Sequence, residues 1–260
     1  MPVATEQQLH VRVTCDGGCA VVEAHGEVDE QTAPRLRTIL RSMAGDPNSL
    51  LVLDLRPTSF LGNPGIRALL DAYGSVPAAL AAFEVQVRAG SQPEQALHEA
   101  GVCRRFSVIV WKGPLEGPVQ EGQARTGGSL ELRIPADVFQ VSRVRRLTEQ
   151  VLLLAGADDN WICDFVTAVG EAVANAVTHG SPKSDPGYVI FCLRPQHSFV
   201  TAEVTDFGPG IWGWTGHPQM PPPSSLRGRG LGMMQVFCDD VEVQTGHGGT
   251  LVRLTKASAW

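Results

Sequence analysis

With 260 residues, 43% of them hydrophobic, the chain is long enough for two domains with packed cores, which excludes a mainly disordered protein. The net charge of -6 argues against direct binding to nucleic acid, because phosphate contacts need a basic face; a local basic patch stays open at Arg143, Arg145 and Arg146. A signal-peptide pattern and a long uncharged apolar run are both missing, so we expect a cytoplasmic protein without membrane contact.

The first half of the chain alternates strand and helix patterns. Strands at residues 11–14 and 20–24 flank Asp16-Gly17-Gly18 and predict a hairpin. Helical spacing of apolar residues predicts one helix from Thr32 and a second from Gly65. Between them, the apolar run at 50–55 is typical of a strand buried on both faces. The remaining patterns predict a strand at 84–88, a helix at 93–100 and a strand at 107–111.

The six cysteines form no Cys-x-x-Cys pair. Cys15 and Cys19 flank the hairpin turn, but the other ligands of a zinc site are missing there. We therefore expect small buried or edge thiols rather than a metal site.

Residues 113–129 are rich in Gly, Pro and charge and predict a linker between domains at 1–112 and 130–260. The second domain opens with a strand at 130–134. Asp137 as N-cap and Gly156 as terminator bound one predicted helix, and a second helix covers 159–178. Four more strands are predicted, at 188–193, 199–205, 241–244 and 250–254.

One polar pair interrupts the second of these helices. Glu171 and Asn175 are one turn apart, so they share a helix face that is otherwise apolar. An Asn carbonyl is a hard oxygen ligand suited to Mg²⁺, and a Glu one turn earlier can accept a proton. A solvated polar edge is the alternative for an isolated pair, but the glycine stretches that follow favour a site.

Two glycine stretches come after this helix. Asp206 ends an apolar strand, where its carboxylate can accept a hydrogen bond from an amino group such as that of adenine, and Gly208 and Gly210 let backbone pass close to a flat ring. A plain strand-ending turn is the alternative. Residues 228–232 precede a helix pattern whose first amides can receive phosphate oxygens. A Rossmann site fits poorly, because a Pro- and Ser-rich loop precedes these glycines, and no Walker A motif is present.

In this order the motifs resemble the asparagine box and the two glycine boxes of the GHKL ATPase superfamily, and residues 130–256 resemble its anti-sigma factor serine kinases. The resemblance implies that Glu171 is the catalytic base, Asn175 the Mg²⁺ ligand and Asp206 the residue that reads adenine. It further implies ATP and Mg²⁺ as ligands, a STAS-domain antagonist protein as phosphate acceptor and a sigma factor as a second partner. The implied nucleotide contacts, besides Asn175 and Asp206, are Gly208, Gly210, Arg227, Gly228, Arg229, Gly230, Leu231, Gly232 and Thr250.

Residues 8–111 resemble a STAS domain, the fold of those antagonists, through residues 26–29, 51–55 and 60–70. Where the family carries Asp, a phosphoacceptor Ser and a further Ser or Thr, this chain has Gly62, Asn63 and Pro64. Asn has no hydroxyl to phosphorylate, so the loop is a degenerate phosphorylation loop. Thr58 and Ser59 lie nearby but out of register.

We therefore expect an α/β protein, with an N-terminal STAS fold of mixed sheet and helices and a C-terminal GHKL (Bergerat) α/β sandwich. The expected function is that of an ATP-dependent serine/threonine protein kinase in a partner-switching pathway. It would phosphorylate an antagonist STAS protein in trans and use its own STAS half for docking or autoinhibition. A nonenzymatic nucleotide-gated binding module and a structural scaffold are the alternatives, and the oligomeric state, a homodimer included, stays open.

Overall fold

The computed structural model describes residues 9–16, 19–44, 50–75, 83–112, 129–180, 187–210 and 229–258. The chain divides into two compact units, residues 1–110 and 111–260. Both units combine strands and helices, which confirms the predicted α/β class. None of the described helices is both long and apolar enough to cross a membrane.

The first unit contains six strands, three α-helices and a short 3-10 helix among its described residues. Their order is β1 His10–Asp16, β2 Cys19–Val28, α1 Ala33–Met43, β3 Leu50–Asp54, β4 Thr58–Leu61, α2 Asn63–Ser75, β5 Phe83–Arg88, α3 Gln92–Glu99, the 3-10 helix Val102–Arg104 and β6 Ser107–Lys112.

The sheet of the first unit is mixed, as predicted. Its order is β1-β2-β3-β5-β6; β1 is antiparallel to β2, whereas β2, β3 and β5 are parallel. β4 pairs in parallel with β2, with a register shift between Gly26 and Glu27. Cys15 pairs with Ala20 and Cys19 with Asp16, so the two cysteines lie on opposite faces of the hairpin. Neither cysteine is part of a disulfide.

Helix α2 begins at Asn63, two residues before the predicted start at Gly65. Pro64 is compatible with a first helical turn, where its missing N–H would have no partner, and the amide of Ile66 closes that turn on the Gly62 carbonyl at 3.1 Å. Gly65 is required by packing, since a methyl group there would lie 2.5 Å from Leu61 and 2.8 Å from Val28.

The second unit contains five strands and three helices among its described residues. They are β7 Ser129–Pro135, α4 Phe139–Ala155, α5 Asp159–His179, β8 Tyr188–Pro195, β9 Phe199–Asp206, α6 Arg229–Phe237, β10 Asp240–Gly246 and β11 Gly249–Ala257. The prediction located each strand, with shorter bounds, and it located α4 and α5; the helix pattern predicted after residues 228–232 corresponds to α6. Ser129, placed at the end of the predicted linker, is the first residue of β7, and residues 113–128 lie outside the described residues.

The strands of this unit form a sheet in the order β7-β8-β9-β11-β10, with antiparallel pairing. α4 and α6 both pack on α5, and α5 packs on β8, β9 and β11. Strand alternation turns Val200, Ala202, Val204 and Asp206 of β9 into the core. Asp206 is therefore delivered to the same face of the sheet as α5, which matters for the site below.

Side chains on the other face of this sheet form a network of ion pairs. Glu203 of β9 accepts hydrogen bonds from Arg194 of β8 at 2.6 Å and from Arg253 of β11 at 2.9 Å. Arg253 also reaches Glu242 of β10 at 2.8 Å. Burial raises the pKa of Glu203, but the hydrogen bonds and charges of the two arginines outweigh burial and leave that pKa lowered.

Capping fixes the ends of the two long helices. Asp158 accepts from the amides of Asn160 and Trp161 at 3.0 and 3.2 Å and so starts α5. Gly156 ends α4 with a φ of 91°, as predicted. Asp137 accepts from the Phe139 amide at 3.1 Å, although Val138 is the residue at the cap position and α4 begins one residue later than the prediction implied.

Candidate functional site

Helix α5 carries the polar pair on the margin of its buried face. Ile162, Phe165, Val169 and Val173 are at most 4% exposed. Glu171 and Asn175 are half-buried, and 31% of the Glu171 side chain is exposed. The amphipathic helix therefore holds both groups where water and a ligand can reach them, which a polar edge alone would also do. The residues opposite Glu171 and Asn175 distinguish a ligand site from a polar edge.

The start of α6 lies opposite this pair. A methyl group added at Gly230 would lie 3.0 Å from Oε2 of Glu171 and 3.3 Å from Nδ2 of Asn175. Gly230 of the second glycine stretch thus lies close to Glu171 and Asn175. A side chain at position 230 would fill this space, so Gly230 keeps helix-start backbone next to both polar groups. Leu231 is half-buried and Gly232 is buried in the following turn.

Asp206 forms the second part of the site at the end of β9. It is 7% exposed, and its Oδ1 accepts from the backbone amides of Gly208 at 3.0 Å and Thr250 at 3.2 Å. Burial raises the pKa of Asp206, and the two amides oppose that rise without cancelling it. Thr250 is the register partner of Asp206 on β11, and its hydroxyl lies 3.3 Å from that of Thr245.

Two glycines let the end of α5 approach the first glycine box closely around Asp206. A methyl group at Gly180, the residue that follows α5, would lie 2.3 Å from the Asp206 Cβ. One at Gly208 would lie 2.4 Å from the Gly180 carbonyl oxygen. Since real side chains do not approach so closely, the glycines at 180 and 208 are needed for the contact between the end of α5 and the first glycine box.

Gly210 meets the hairpin of β10 and β11. Its φ is +78°, and a methyl group there would lie 2.4 Å from the Gly246 carbonyl and 2.9 Å from the Thr245 hydroxyl. Gly210 therefore satisfies two demands at once, a left-handed backbone and a close approach. The first glycine box is held from both sides, by α5 and by the β10–β11 turn.

Sequence reasoning missed Arg145 as part of the site. Its Nη2 lies 3.9 Å from Oε1 of Glu171, and its side chain crosses the surface of α5 at Gly170. The sequence offered one signal, an unexplained glycine inside a helix, which often marks a close approach. Arg143 and Arg146 are the neighbours with which the sequence had grouped it as a basic patch.

Some predicted contacts fall outside the described residues. Arg227 and Gly228 belong to the segment 211–228, and only the backbone of Arg229, as the first residue of α6, is described. The proposed phosphate contacts of these three residues therefore stay predictions.

Asn63 and Pro64 of the degenerate loop are the first two residues of α2, and Gly62 precedes them. Asn63 is exposed, and Gly62 and Pro64 are half-buried. Leu61, the residue before Gly62, is held by Gln92, whose Oε1 accepts a hydrogen bond from the Leu61 amide at 2.7 Å. Thr58 is 4% exposed, with its hydroxyl donating to the Ala24 carbonyl at 2.7 Å, and the Ser59 hydroxyl donates to the Gly26 carbonyl at 3.1 Å.

Comparison with known proteins gives the same division of the chain. Residues 10–110 match the STAS domain family, and residues 134–256 match the family described as histidine kinase-like ATPase domain. An anti-sigma F factor of Thermoanaerobacter sp. (strain X514) is 37% identical over 102 residues, which are 36% of this chain and 69% of that protein. The chain joins a STAS domain to an ATPase domain of the anti-sigma factor family.

Two solved structures are also similar. An anti-sigma factor antagonist from Mycobacterium paratuberculosis is 26% identical, covers 41% of this chain and 89% of its own, and gives a TM-score of 0.37. The RsbU and RsbW domains of a Mycobacterium tuberculosis protein are 27% identical, cover 50% of this chain and 33% of that chain, and give a TM-score of 0.38. The family membership of the ATPase unit implies that it binds ATP.

Proposed function

We propose that the second unit is a serine/threonine protein kinase that transfers the γ-phosphate of ATP to a serine of a separate STAS-domain antagonist protein. The observation that carries the proposal is the meeting of Glu171, Asn175 and Gly230 at the start of α6. A base, a hard oxygen ligand and helix-start amides are the parts that phosphoryl transfer needs, because its chemistry depends mainly on positioning and charge stabilisation.

The residues divide the work along the nucleotide. Asp206 would accept a hydrogen bond from the amino group of adenine, with Thr250 beside it. Gly208 and Gly210 would let the backbone pass close to the adenine ring. The amides at the start of α6, from Arg229 to Gly232, would receive phosphate oxygens, and Arg227 and Gly228 would add contacts from the segment before it. The amide oxygen of Asn175 fits Mg²⁺, which is commonly held by few protein groups together with phosphate oxygens. Bound there, Mg²⁺ would neutralise phosphate charge.

The transfer step uses one side chain of this unit directly. The serine Oγ of the antagonist forms a bond to the γ-phosphorus, and the bond from that phosphorus to the β,γ-bridging oxygen breaks. ADP leaves with the electron pair of the broken bond. Glu171 receives the proton of the serine hydroxyl, which is general-base catalysis. The half-buried position of Glu171 leaves its carboxylate accessible to the incoming hydroxyl.

For the first unit we propose a docking or autoinhibitory role without phosphorylation of its own loop. Asn63 is the first residue of α2. It corresponds by resemblance to the acceptor position of the STAS family, and it has no hydroxyl. The two hydroxyls nearby, those of Thr58 and Ser59, already donate to backbone carbonyls of β2. The anti-sigma F factors that resemble the second unit are named for action on a sigma factor. We propose that a sigma factor is the second partner of this chain, in a partner-switching pathway that regulates transcription in the cytoplasm.

Incubation with γ-³²P-labelled ATP, Mg²⁺ and an antagonist from the same organism that retains the intact Asp-Ser-Ser-Gly loop tests the proposal. Label is expected on the antagonist serine, and none on a matched antagonist in which that serine is replaced by alanine. Binding of ATP without transfer to any such antagonist would contradict the kinase assignment. That outcome would favour a nonenzymatic, nucleotide-gated binding module.

A further inference from the structure

Arg145 of α4 occupies a place that only glycine leaves open on α5. A methyl group at Gly170 would lie 1.9 Å from Nε of Arg145 and 2.4 Å from its Nη2. The Nε atom is buried and has no hydrogen-bond partner among the residues that the structure describes. Glycine in a helix interior costs about 1 kcal/mol relative to alanine. The space that Gly170 leaves for the Arg145 guanidinium, here called the seat, offsets this cost.

From this seat the guanidinium faces one oxygen of Glu171. Its Nη2 is 3.9 Å from Oε1, within the range of an ion pair but too long for a hydrogen bond. The other oxygen, Oε2, is the one nearest to Gly230 at the start of α6. The two oxygens of the carboxylate are therefore in different surroundings, one against α4 and one toward the start of α6.

We infer that Arg145 is a positioning residue that retains Oε1 and so presents Oε2 to the hydroxyl of the acceptor serine. The inference rests on the proposed kinase function. Rotation about the last torsion of a Glu side chain is broad and roughly two-fold, so an unrestrained carboxylate samples many orientations. Attraction to a cation on one side narrows that distribution. Because a misplacement of about 1 Å can cost on the order of 100-fold in rate, such a restraint acts on the transfer step.

Gly170 provides a perturbation of Arg145 that changes no charge. The nearest atoms to an added Cβ at position 170 all belong to the flexible Arg145 side chain. Gly170→Ala should therefore displace the guanidinium and leave the two helix backbones in place. Arg145→Met removes the same contact by deleting the charge. If Arg145 acts by position, the two variants share one phenotype although only one of them alters the charge of the site.

The test is single-turnover phosphoryl transfer from ATP to a saturating intact antagonist, with full-length variants. Arg145→Met and Gly170→Ala are each expected to slow transfer about 10- to 100-fold while ATP affinity stays within about twofold. Arg145→Lys should recover part of the rate, since it restores a cation. Arg146→Met, which removes an exposed arginine of the same helix, is the matched control and should transfer at about the wild-type rate.

Two results would overturn the inference. Wild-type rates in both Arg145→Met and Gly170→Ala would show that the seat has no effect on the base. Weaker binding of ATP or of the antagonist, with an unchanged rate at saturation, would assign Arg145 to ligand contact instead.

A spectroscopic readout separates this inference from the proposed function. The ¹³C signal of the Glu171 carboxyl group should shift in Arg145→Met and Gly170→Ala but not in Arg146→Met, whether or not transfer occurs. A shift without transfer by the wild type would contradict the kinase proposal and leave the contact standing. An unchanged signal would refute the contact itself.

Discussion

Asp206→Asn isolates the proposed adenine contact from the structural role of the same side chain. Both buried amides, of Gly208 and Thr250, donate to Oδ1, and an asparagine oxygen can accept the same two bonds. We assign Oδ2 to the amino group of adenine. In the variant this position carries an NH₂ group, so a donor faces a donor. Asp206→Ala, in contrast, also leaves the two amides unpaired and confounds affinity with stability.

The expected loss follows from the strength of a hydrogen bond to a charged acceptor. Such bonds contribute about 1.5–3 kcal/mol, which corresponds to about 10- to 150-fold weaker ATP binding. Isothermal titration calorimetry with Mg-ATP measures this loss, and urea unfolding checks that Asp206→Asn folds like the wild type. Asp206→Ala should bind as poorly and also lose about 1–3 kcal/mol of stability. An affinity of Asp206→Asn within about twofold of the wild type would refute the assignment.

The pH dependence gives the same prediction a second arm. Burial raises the pKa of Asp206 above its ordinary value, so the carboxylate takes up a proton at a less acidic pH than an exposed Asp. The ionised form is the better acceptor for the adenine amine. ATP affinity should therefore fall as the pH is lowered through this raised pKa. In Asp206→Asn the slope should vanish, and a slope retained in that variant would assign the titration to another group.

Three further predictions concern packing, acid stability and the degenerate loop. Gly208→Ala should destabilise the second unit by about 1–3 kcal/mol and abolish ATP binding, because the added Cβ would lie 2.4 Å from the Gly180 carbonyl oxygen. Gly246→Ala is the matched control, since a Cβ added there has no atom within 4 Å. Equal melting temperatures for the two variants would contradict this prediction. The pKa of Glu203 is lowered in the folded protein, so Glu203 stabilises the fold above its unfolded pKa, and this stabilisation is lost as the pH falls through its folded pKa. Glu203→Gln should therefore lower the free energy of unfolding by about 1 kcal/mol at neutral pH, after solvent screening, and have no effect in strong acid. Urea unfolding at several pH values measures this, and a difference that stays constant with pH would refute it. Mass spectrometry after incubation with Mg-ATP should find no phosphate on residues 58–66, since Thr58 and Ser59 donate to β2 carbonyls; stoichiometric phosphate on either would make the chain its own acceptor.

Periodicity was sufficient for most of the fold because each long element buries a continuous face. The strand β4 was missed: it has only four residues, its two central residues are exposed, and its pairing with β2 lies more than thirty positions away in sequence. The early start of α2 was missed because Asn63-Pro64 resembles a turn, and only the bond from Ile66 to Gly62 shows that the helix has already begun. The pairing of β4 with β2 depends on tertiary packing, which local patterns do not encode.

The candidate site was inferred from short motifs, and its chemistry stays a prediction. The sequence brought Glu171, Asn175, Asp206 and the glycine boxes together in one hypothesis, and the described part of the structure places Gly230 against the first two. Arg145 was not predictable in this way. It resembles Arg143 and Arg146 in sequence, and only the packing of α4 on α5 decides which arginine reaches Glu171.

Single-turnover transfer by Glu171→Gln tests the central claim most directly. The amide keeps the shape of the side chain but cannot take the serine proton, so ATP affinity should stay within about twofold of the wild type while transfer to an intact antagonist slows by about 100- to 10,000-fold. Transfer by Glu171→Gln at the wild-type rate would show that Glu171 is not the base, and would contradict the proposed kinase mechanism.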